Sequence, residues 1–178
     1  QMCIRDRLRA ENFTVVIADS IQQDDCVSLD ATDKKQLMNF ARDKEAVVSC
    51  GPYFVNKTIA EVCSELNIAY FDPTEDTEIA TFVNTLPNTQ TMMTQCGLAP
   101  GAINIIASNL MKELDEVDKV KMRVGALPKY TNNSMGYYLT WSTSGLINEY
   151  VNDCDIISNY EHKKAQPLDG YETIMVDG

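Results

Sequence analysis

Apolar positions along the first hundred residues come in two alternating rhythms. Phe13-Thr14-Val15-Val16-Ile17-Ala18, Ala46-Val47-Val48-Ser49 and Ile68-Ala69-Tyr70-Phe71 are continuously β-branched, apolar or aromatic. That is the pattern of strands covered on both faces. Cys26-Val27-Ser28-Leu29 adds a shorter strand. Between them the period changes to that of a helix. Leu37, Met38, Phe40 and Ala41 supply one inward face, with Asp30, Thr32 or Asp33 as its cap. Val55, Ile59, Val62, Cys63 and Leu66 supply a second, and a short helix runs on from Asp76 to Leu86. Leu8 to Asn12 reads as the end of a helix. Strand and helix alternating with short connections predict a parallel sheet from Phe13 to Cys96 with right-handed crossovers.

A β-prone run, Thr91 to Cys96, then meets Gly97-Leu98-Ala99-Pro100-Gly101 and a helical run from Ala102 to Leu114. Glycine permits close approach of backbone to a ligand, proline suits a first helical turn, and a helix N-terminus offers N–H groups. The corner also serves as plain chain reversal. Beyond it the pattern changes. Val120, Met122 and Val124 alternate with Lys121 and Arg123, as in a strand with one wet face. A polar loop, Lys129 to Gly136, leads into Tyr137 to Trp141. Ser142 or Thr143 caps a helix bearing Leu146, Ile147 and Tyr150, Asp155 to Lys164 reads as a polar loop, and Tyr171 to Val176 as a strand.

Composition narrows the chemistry. A net charge of −11 argues against a nucleic-acid partner, which needs clustered Lys and Arg. No apolar run approaches the ~20 residues of a membrane span. The six cysteines form no CxxC pair, and the one histidine, His162, lies among charged neighbours, so no metal site is expected. Scattered cysteines in apolar context suit reduced thiols in the cytoplasm. Residues 1–7 carry Met2-Cys3-Ile4-Arg5-Asp6-Arg7, which resembles a translated sequencing adapter and is set apart as an artefact.

In a parallel α/β sheet, ligands bind beyond the carboxyl ends of the strands. Asp19, Asp30, Cys50 to Tyr53, Asp72 to Asp76 and Gly97 to Gly101 all fall there. Each taken alone is also a turn or a cap. An acidic residue ending the second strand of a dinucleotide-binding fold accepts from the ribose hydroxyls, ~20 residues after G-x-G-x-x-G. Asp19 is so placed, but these 178 residues contain no such glycine motif.

Several runs together, in order, resemble the saccharopine dehydrogenase-like family. They are Ser49-Cys50-Gly51-Pro52-Tyr53 with Asn56, Tyr70 to Asp76, Gln95 to Gly101, Met122 to Pro128, and Leu139-Thr140-Trp141-Ser142 with Gly145 to Tyr150. The branch includes saccharopine reductase, lysine 6-dehydrogenase and carboxynorspermidine dehydrogenase. The resemblance implies an α/β chain: a partial Rossmann parallel sheet over residues 8–100 that lacks its first strand, then part of an α/β domain with a mixed sheet over residues 101–178. The missing strand and glycine loop are expected upstream. The second domain is expected to serve substrate binding and dimerisation, with a homodimer in the complete protein.

The resemblance also implies roles. Asp19 would meet the adenosine ribose, beside Ser20, and Asp30 the adenine. Cys50, Gly51, Pro52 and Tyr53, with Asp72, Pro73 and Thr74, would border the nicotinamide. Gly97, Leu98 and Ala99 would form the floor, and Trp141 and Ser142 would face the substrate. Hydride transfer at a C–N carbon needs positioning and a group for the amine proton, not a nucleophile. Tyr53, Asp72, Glu75 and Asp76 are the candidates, with Tyr53, Glu75 and Arg123 as substrate contacts. NAD is expected over NADP, because Asp19 repels a 2′-phosphate and Ser20 brings no compensating charge.

Saccharopine reductases commonly carry Asp at the place of Ala99 and a carboxylate-gripping Arg at that of Ser144. A smaller amino acid or an amine therefore fits as well as saccharopine. The other reading is a non-catalytic interaction module or an inactive truncated product, favoured by the absent glycine motif.

Overall fold

The structure is a computed structural model, and it describes residues 2–125, 129–130, 143–170 and 172–175. The chain divides into two compact units, Gln1–Gly125 and Ala126–Gly178.

The first unit opens with α1 (Met2–Ala10), which takes in the adapter-like residues as helix. Then follow β1 (Ile17–Asp19), β2 (Cys26–Ser28), α2 (Lys34–Ala41), β3 (Ala46–Val48), α3 (Tyr53–Leu66), β4 (Ala69–Phe71), α4 (Thr77–Thr85), β5 (Met92–Met93) and α5 (Ala102–Met111). Every strand pair in this unit is parallel: Ile17 lies opposite Cys26, Ala46 opposite Ala69 and Tyr70 opposite Met92.

The expected single sheet is divided into β1-β2 and β3-β4-β5. The Rossmann order 3-2-1-4-5-6 supplies the reason. In that order β2 and β1 take the third and second places, and β3 to β5 the fourth to sixth. The first place falls between β1 and β3, where no strand stands among the described residues. β1 and β3 thus have one hydrogen-bonded neighbour each, and Val16 and Val48 are 47% and 41% exposed despite their all-apolar runs. β4 has a partner on both sides and buries Tyr70 completely.

The core lies where α2 and α3 cover β4: Leu37 and Ala41 meet Val55, Ile59, Ala60, Val62 and Cys63, with Val83 from α4. Each buried aliphatic side chain here stabilises the fold by about 1.5–3 kcal/mol. Local chemistry sets the helix ends. Asp33 caps α2 by accepting from the amides of Lys35 (2.9 Å) and Gln36 (3.1 Å). Asn67 closes α3 in the left-handed conformation that Asn tolerates, φ 54°.

Two expectations from the sequence are corrected. Val120, Met122 and Val124 are all exposed in irregular chain rather than in a strand. Alternation makes a strand only where a partner supplies the ladder, and among the described residues none pairs with them. In the second unit, residues 155–164 are not a loop. After α6 (Thr143–Val151), β6 (Cys154–Ser158) and β7 (Glu161–Ala165) pair antiparallel. Asn159 and Tyr160, at φ 55° and 65°, make the two-residue turn with both centres left-handed that suits a hairpin. Lys164 Nζ lies 2.7 Å from Asp155 Oδ1 directly across the ladder. The polar side chains that suggested a loop are the solvent faces of this ribbon. Residues 172–175 are irregular where a strand was expected from Tyr171 to Val176, and Tyr137 to Trp141 lie outside the described residues. Among the described residues, no helix is long and apolar enough to cross a membrane.

Candidate functional site

The carboxyl ends of β3, β4 and β5 are tied together by backbone. Ser49 N donates to Phe71 O (2.8 Å), Asp72 N to Met93 O (3.1 Å) and Cys96 N to Asp72 O (2.9 Å). This brings Cys50-Gly51-Pro52, Asp72-Pro73-Thr74 and Gly97 to Gly101 to one edge of the sheet. A Cβ placed on Gly97 would lie 3.5 Å from Pro73 Cβ. Gly51, Pro52, Pro73, Leu98 and Ala99 are exposed there, a small-residue, largely apolar floor.

Asp19 and Asp30 end the other parallel pair. Asp19 Oδ1 accepts from Ile21 N (3.0 Å), and Ser20 is exposed beside it. Asp30 Oδ1 accepts from Thr32 Oγ1 (2.7 Å) and Thr32 N (2.9 Å), and those bonds hold its carboxyl below the usual range, the hydroxyl first. Arg123 is exposed on the irregular segment after α5, whereas Trp141 and Ser142 lie outside the described residues.

The loop before α5 is tighter than the sequence suggests. Gly101 has φ 133°, and a Cβ on it would stand 2.2 Å from Gly97 O and 2.7 Å from Gln95 O. Ala102 N donates to Gly97 O (2.9 Å), Ile103 N to Leu98 O (3.0 Å) and Asn104 N to Gly101 O (3.0 Å). Asn104 Oδ1 accepts in turn from Gly101 N (3.0 Å). The helix N-terminus expected to offer amides to a ligand therefore spends these on its own loop. Its contribution is the shape of the floor.

Beneath the floor lie buried polar groups. Ser49 Oγ donates to Asn56 Oδ1 (2.6 Å), both residues being buried. Asp72 is fully enclosed, and its Oδ1 accepts from Thr74 N (2.7 Å). Burial raises its pKa, against the opposing pull of the Tyr70 hydroxyl and of the Thr74 and Gln95 amides. Tyr70 is likewise fully buried and is pushed up by burial first, then by Asp72. Tyr70 Oη and Asp72 Oδ2 each influence the other's proton, yet neither has a partner at hydrogen-bond length.

The four acid–base candidates separate on this geometry. The Asp72 side chain lies under the floor, out of reach of a ligand above it. Asp76 caps α4 by accepting from Ile79 N (2.9 Å). Glu75 and Tyr53 are half-buried at the edge, Tyr53 with its ring edge-on to Phe54 at 6.2 Å between centroids. The half-buried Cys50 thiol is raised by burial, so it is no ready thiolate. The cap makes a simple prediction. Asp76→Ala should cost about 1 kcal/mol in urea unfolding, and Asp76→Ser should restore most of it. Loss with both would mean that the carboxylate does more than cap.

The sequence placed Ser49 and Tyr70 in strands and, with Asn56, in the family resemblance, but assigned none of the three a role at the site. The available signal was a polar residue inside an apolar helical stripe, between Val55 and Ile59. Nothing in the sequence marked Gln95, a non-glycine residue at φ 60°.

Residues 4–100 match the family model of the saccharopine dehydrogenase NADP binding domain. The chain belongs to the saccharopine dehydrogenase family. Residues 97–176 match the model of the saccharopine dehydrogenase C-terminal domain, and the two matches meet inside the tight Gly97 to Gly101 loop. Among solved structures, the apo, histidine-tagged saccharopine dehydrogenase (L-Glu forming) from Saccharomyces cerevisiae is similar, with a TM-score of 0.54 at 18% identity. The similarity covers 81% of this chain and 34% of the yeast chain. The chain thus spans about a third of that relative, and at this identity the likeness speaks for the fold.

Proposed function

We propose that this chain carries the cofactor half and the start of the substrate half of an NAD(P)-dependent oxidoreductase. Its reaction moves a hydride between the nicotinamide and a C–N carbon of an amino acid or amine. One observation carries the reading: a floor of Gly51, Pro52, Pro73, Leu98 and Ala99 at the carboxyl ends of parallel strands, within a segment that matches the family's NADP binding domain. A flat surface without nucleophile or charge suits a planar ring. The fit is partial, since no G-x-G-x-x-G occurs in these residues to cradle a pyrophosphate.

A bound nicotinamide supplies the hydride donor or acceptor; this chain supplies position and a proton route. Glu75 and Tyr53, at the edge of the floor, are the groups for the amine proton. Glu75 also favours a cationic amine, while Ala99 and Ser144 stand where a saccharopine reductase holds acidic and cationic groups. Arg123 is the candidate for a substrate carboxylate, and Trp141 and Ser142 are candidate substrate residues by the family resemblance. Asp19, with Ser20 beside it, favours NAD over NADP, with Asp30 near the adenine. The complete enzyme is a homodimer of the cytoplasm acting in lysine-type amino-acid metabolism.

The test begins with NADH and NADPH titrated against the 178-residue chain by fluorescence or calorimetry. Weak binding is expected, and micromolar affinity would show that the glycine motif is dispensable. A version carrying any glycine-rich βα turn encoded upstream is then screened with lysine, saccharopine and carboxynorspermidine by nicotinamide absorbance. Turnover with NAD preferred is the expected result. Cofactor binding without turnover of any amine would favour the non-catalytic reading instead.

A further inference from the structure

Asp72 is an unusual residue to bury. Its carboxyl is fully enclosed and accepts one amide at 2.7 Å from Thr74, the Gln95 amide also acts on it, and among the described residues neither Oδ2 nor the Tyr70 hydroxyl has a partner at hydrogen-bond length. Tyr70 and Asp72 are two residues apart, so the pleat puts both side chains on one face of β4. The groups that act on the pair from neighbouring elements are the thiols of Cys63 on α3 and Cys96 beyond β5, and none acting on Asp72 is a cation. An ionised carboxylate there lacks both water and a counter-charge.

The backbone around it is held against its preference. Gln95 sits at φ 60°, and Cys96 N is bonded to Asp72 O at 2.9 Å. A left-handed non-glycine residue persists only where its surroundings fix it. The carboxyl of Asp72, facing the Gln95 amide, is such a fixture.

We propose that Asp72 is a positioning residue: buried beside Tyr70, it ties the Pro73–Thr74 turn and the Gln95–Gly101 loop to the end of β4 and so sets the floor. The consequence for a ligand rests on the nicotinamide-site reading; the tie itself does not.

The variants are Asp72→Asn, Asp72→Ala and Tyr70→Phe, in the full 178-residue chain. Amide hydrogen exchange at Thr74, Gln95 and Cys96 is followed together with the pH dependence of unfolding. Asparagine can accept from the Thr74 amide and donate toward Tyr70, as a neutral acid does. Asp72→Asn should therefore keep wild-type protection at the three amides, and Asp72→Ala should lose about tenfold or more there. The folded-state pKa of Asp72 is raised, so its own contribution to stability should fall as pH rises from about 4, the unfolded value, through the folded value. Asp72→Asn should flatten that fall. Tyr70→Phe removes a group that favours the carboxylate and should move the fall to higher pH.

Asparagine as damaging as alanine would overturn the proposal, as would a difference in stability between wild type and Asp72→Asn that rises with pH across this window. Asp72→Asn and Tyr70→Phe decide the matter even if Asp72→Ala does not fold. None of these readouts uses a nucleotide. Failure of the version with the upstream glycine-rich turn to bind any nicotinamide would therefore sink the functional reading and leave the tie standing. Loss of nucleotide binding in Asp72→Ala with unchanged amide protection would instead make Asp72 a ligand contact and reject the positioning role.

Discussion

Replacing Gly101 by alanine should cost roughly 3 kcal/mol or more and remove the native loop ahead of α5. Two independent effects add at this position. The backbone sits at φ 133°, where a side chain is strained whatever space surrounds it. The new Cβ would also stand 2.2 Å from Gly97 O and 2.8 Å from Gly97 N, both backbone atoms that no rotamer change can move aside. The Gly97 O to Ala102 N and Leu98 O to Ile103 N bonds would break with it. Urea unfolding gives the stability, and exchange at Ala102 and Ile103 reports the loop. Gly125→Ala is the control: nothing lies within 4 Å of its Cβ, so the change should stay within about 0.5 kcal/mol. Equal effects at the two glycines would show that the close approach at Gly101 does not exist. Gly97→Ala should be intermediate, since its nearest obstacle is Pro100 O at 3.1 Å.

The second large effect is expected at Asn56. Asn56→Ala should destabilise the chain by about 2–4 kcal/mol, from a cavity in the face of α3 and a buried Ser49 hydroxyl left without its acceptor. Ser49→Ala should cost less, because it removes little volume. The double variant should be less destabilised than the sum, giving a coupling of about 1 kcal/mol for the 2.6 Å bond. Strict additivity in that cycle would refute the pairing. The consequence extends to the site. Ser49 N is bonded to Phe71 O at 2.8 Å, and Ser49 leads directly into the Cys50-Gly51-Pro52 turn. Loosening Asn56 should therefore raise exchange at the β3 end before α3 itself opens.

These two tests and the Asp72 tie describe one arrangement. Beneath the floor lie a serine–asparagine bond and the buried Tyr70 and Asp72, and beside it a glycine at which a Cβ would meet backbone. Glu75 and Tyr53 stand at its edge.

From Phe13 to Met93 the order and direction of the secondary structure were legible from the sequence alone. Continuous apolar runs and helical stripes are local patterns, and α3 buries the Val55, Ile59, Val62 and Cys63 that its periodicity marked. The strand-end location of Asp19, Asp30, Cys50, Asp72 and Gly97 followed from those patterns, and the family from several motifs in order. Tertiary structure decided what periodicity cannot encode. Whether an apolar strand is covered depends on its neighbours, so Val48 is exposed on β3 while Tyr70 is buried on β4. Whether a carboxylate is a cap, a buried tie or an edge group depends on which amides reach it: Ile79 N makes Asp76 a cap, and Thr74 N helps fix Asp72 beneath the floor. Whether the amides of α5 serve a ligand or their own loop depends on the path from Gly97 to Gly101. The hairpin of β6 and β7 was hidden for the converse reason: an exposed two-stranded ribbon needs no apolar face to mark it, only a left-handed Asn159-Tyr160 turn and cross-strand pairing.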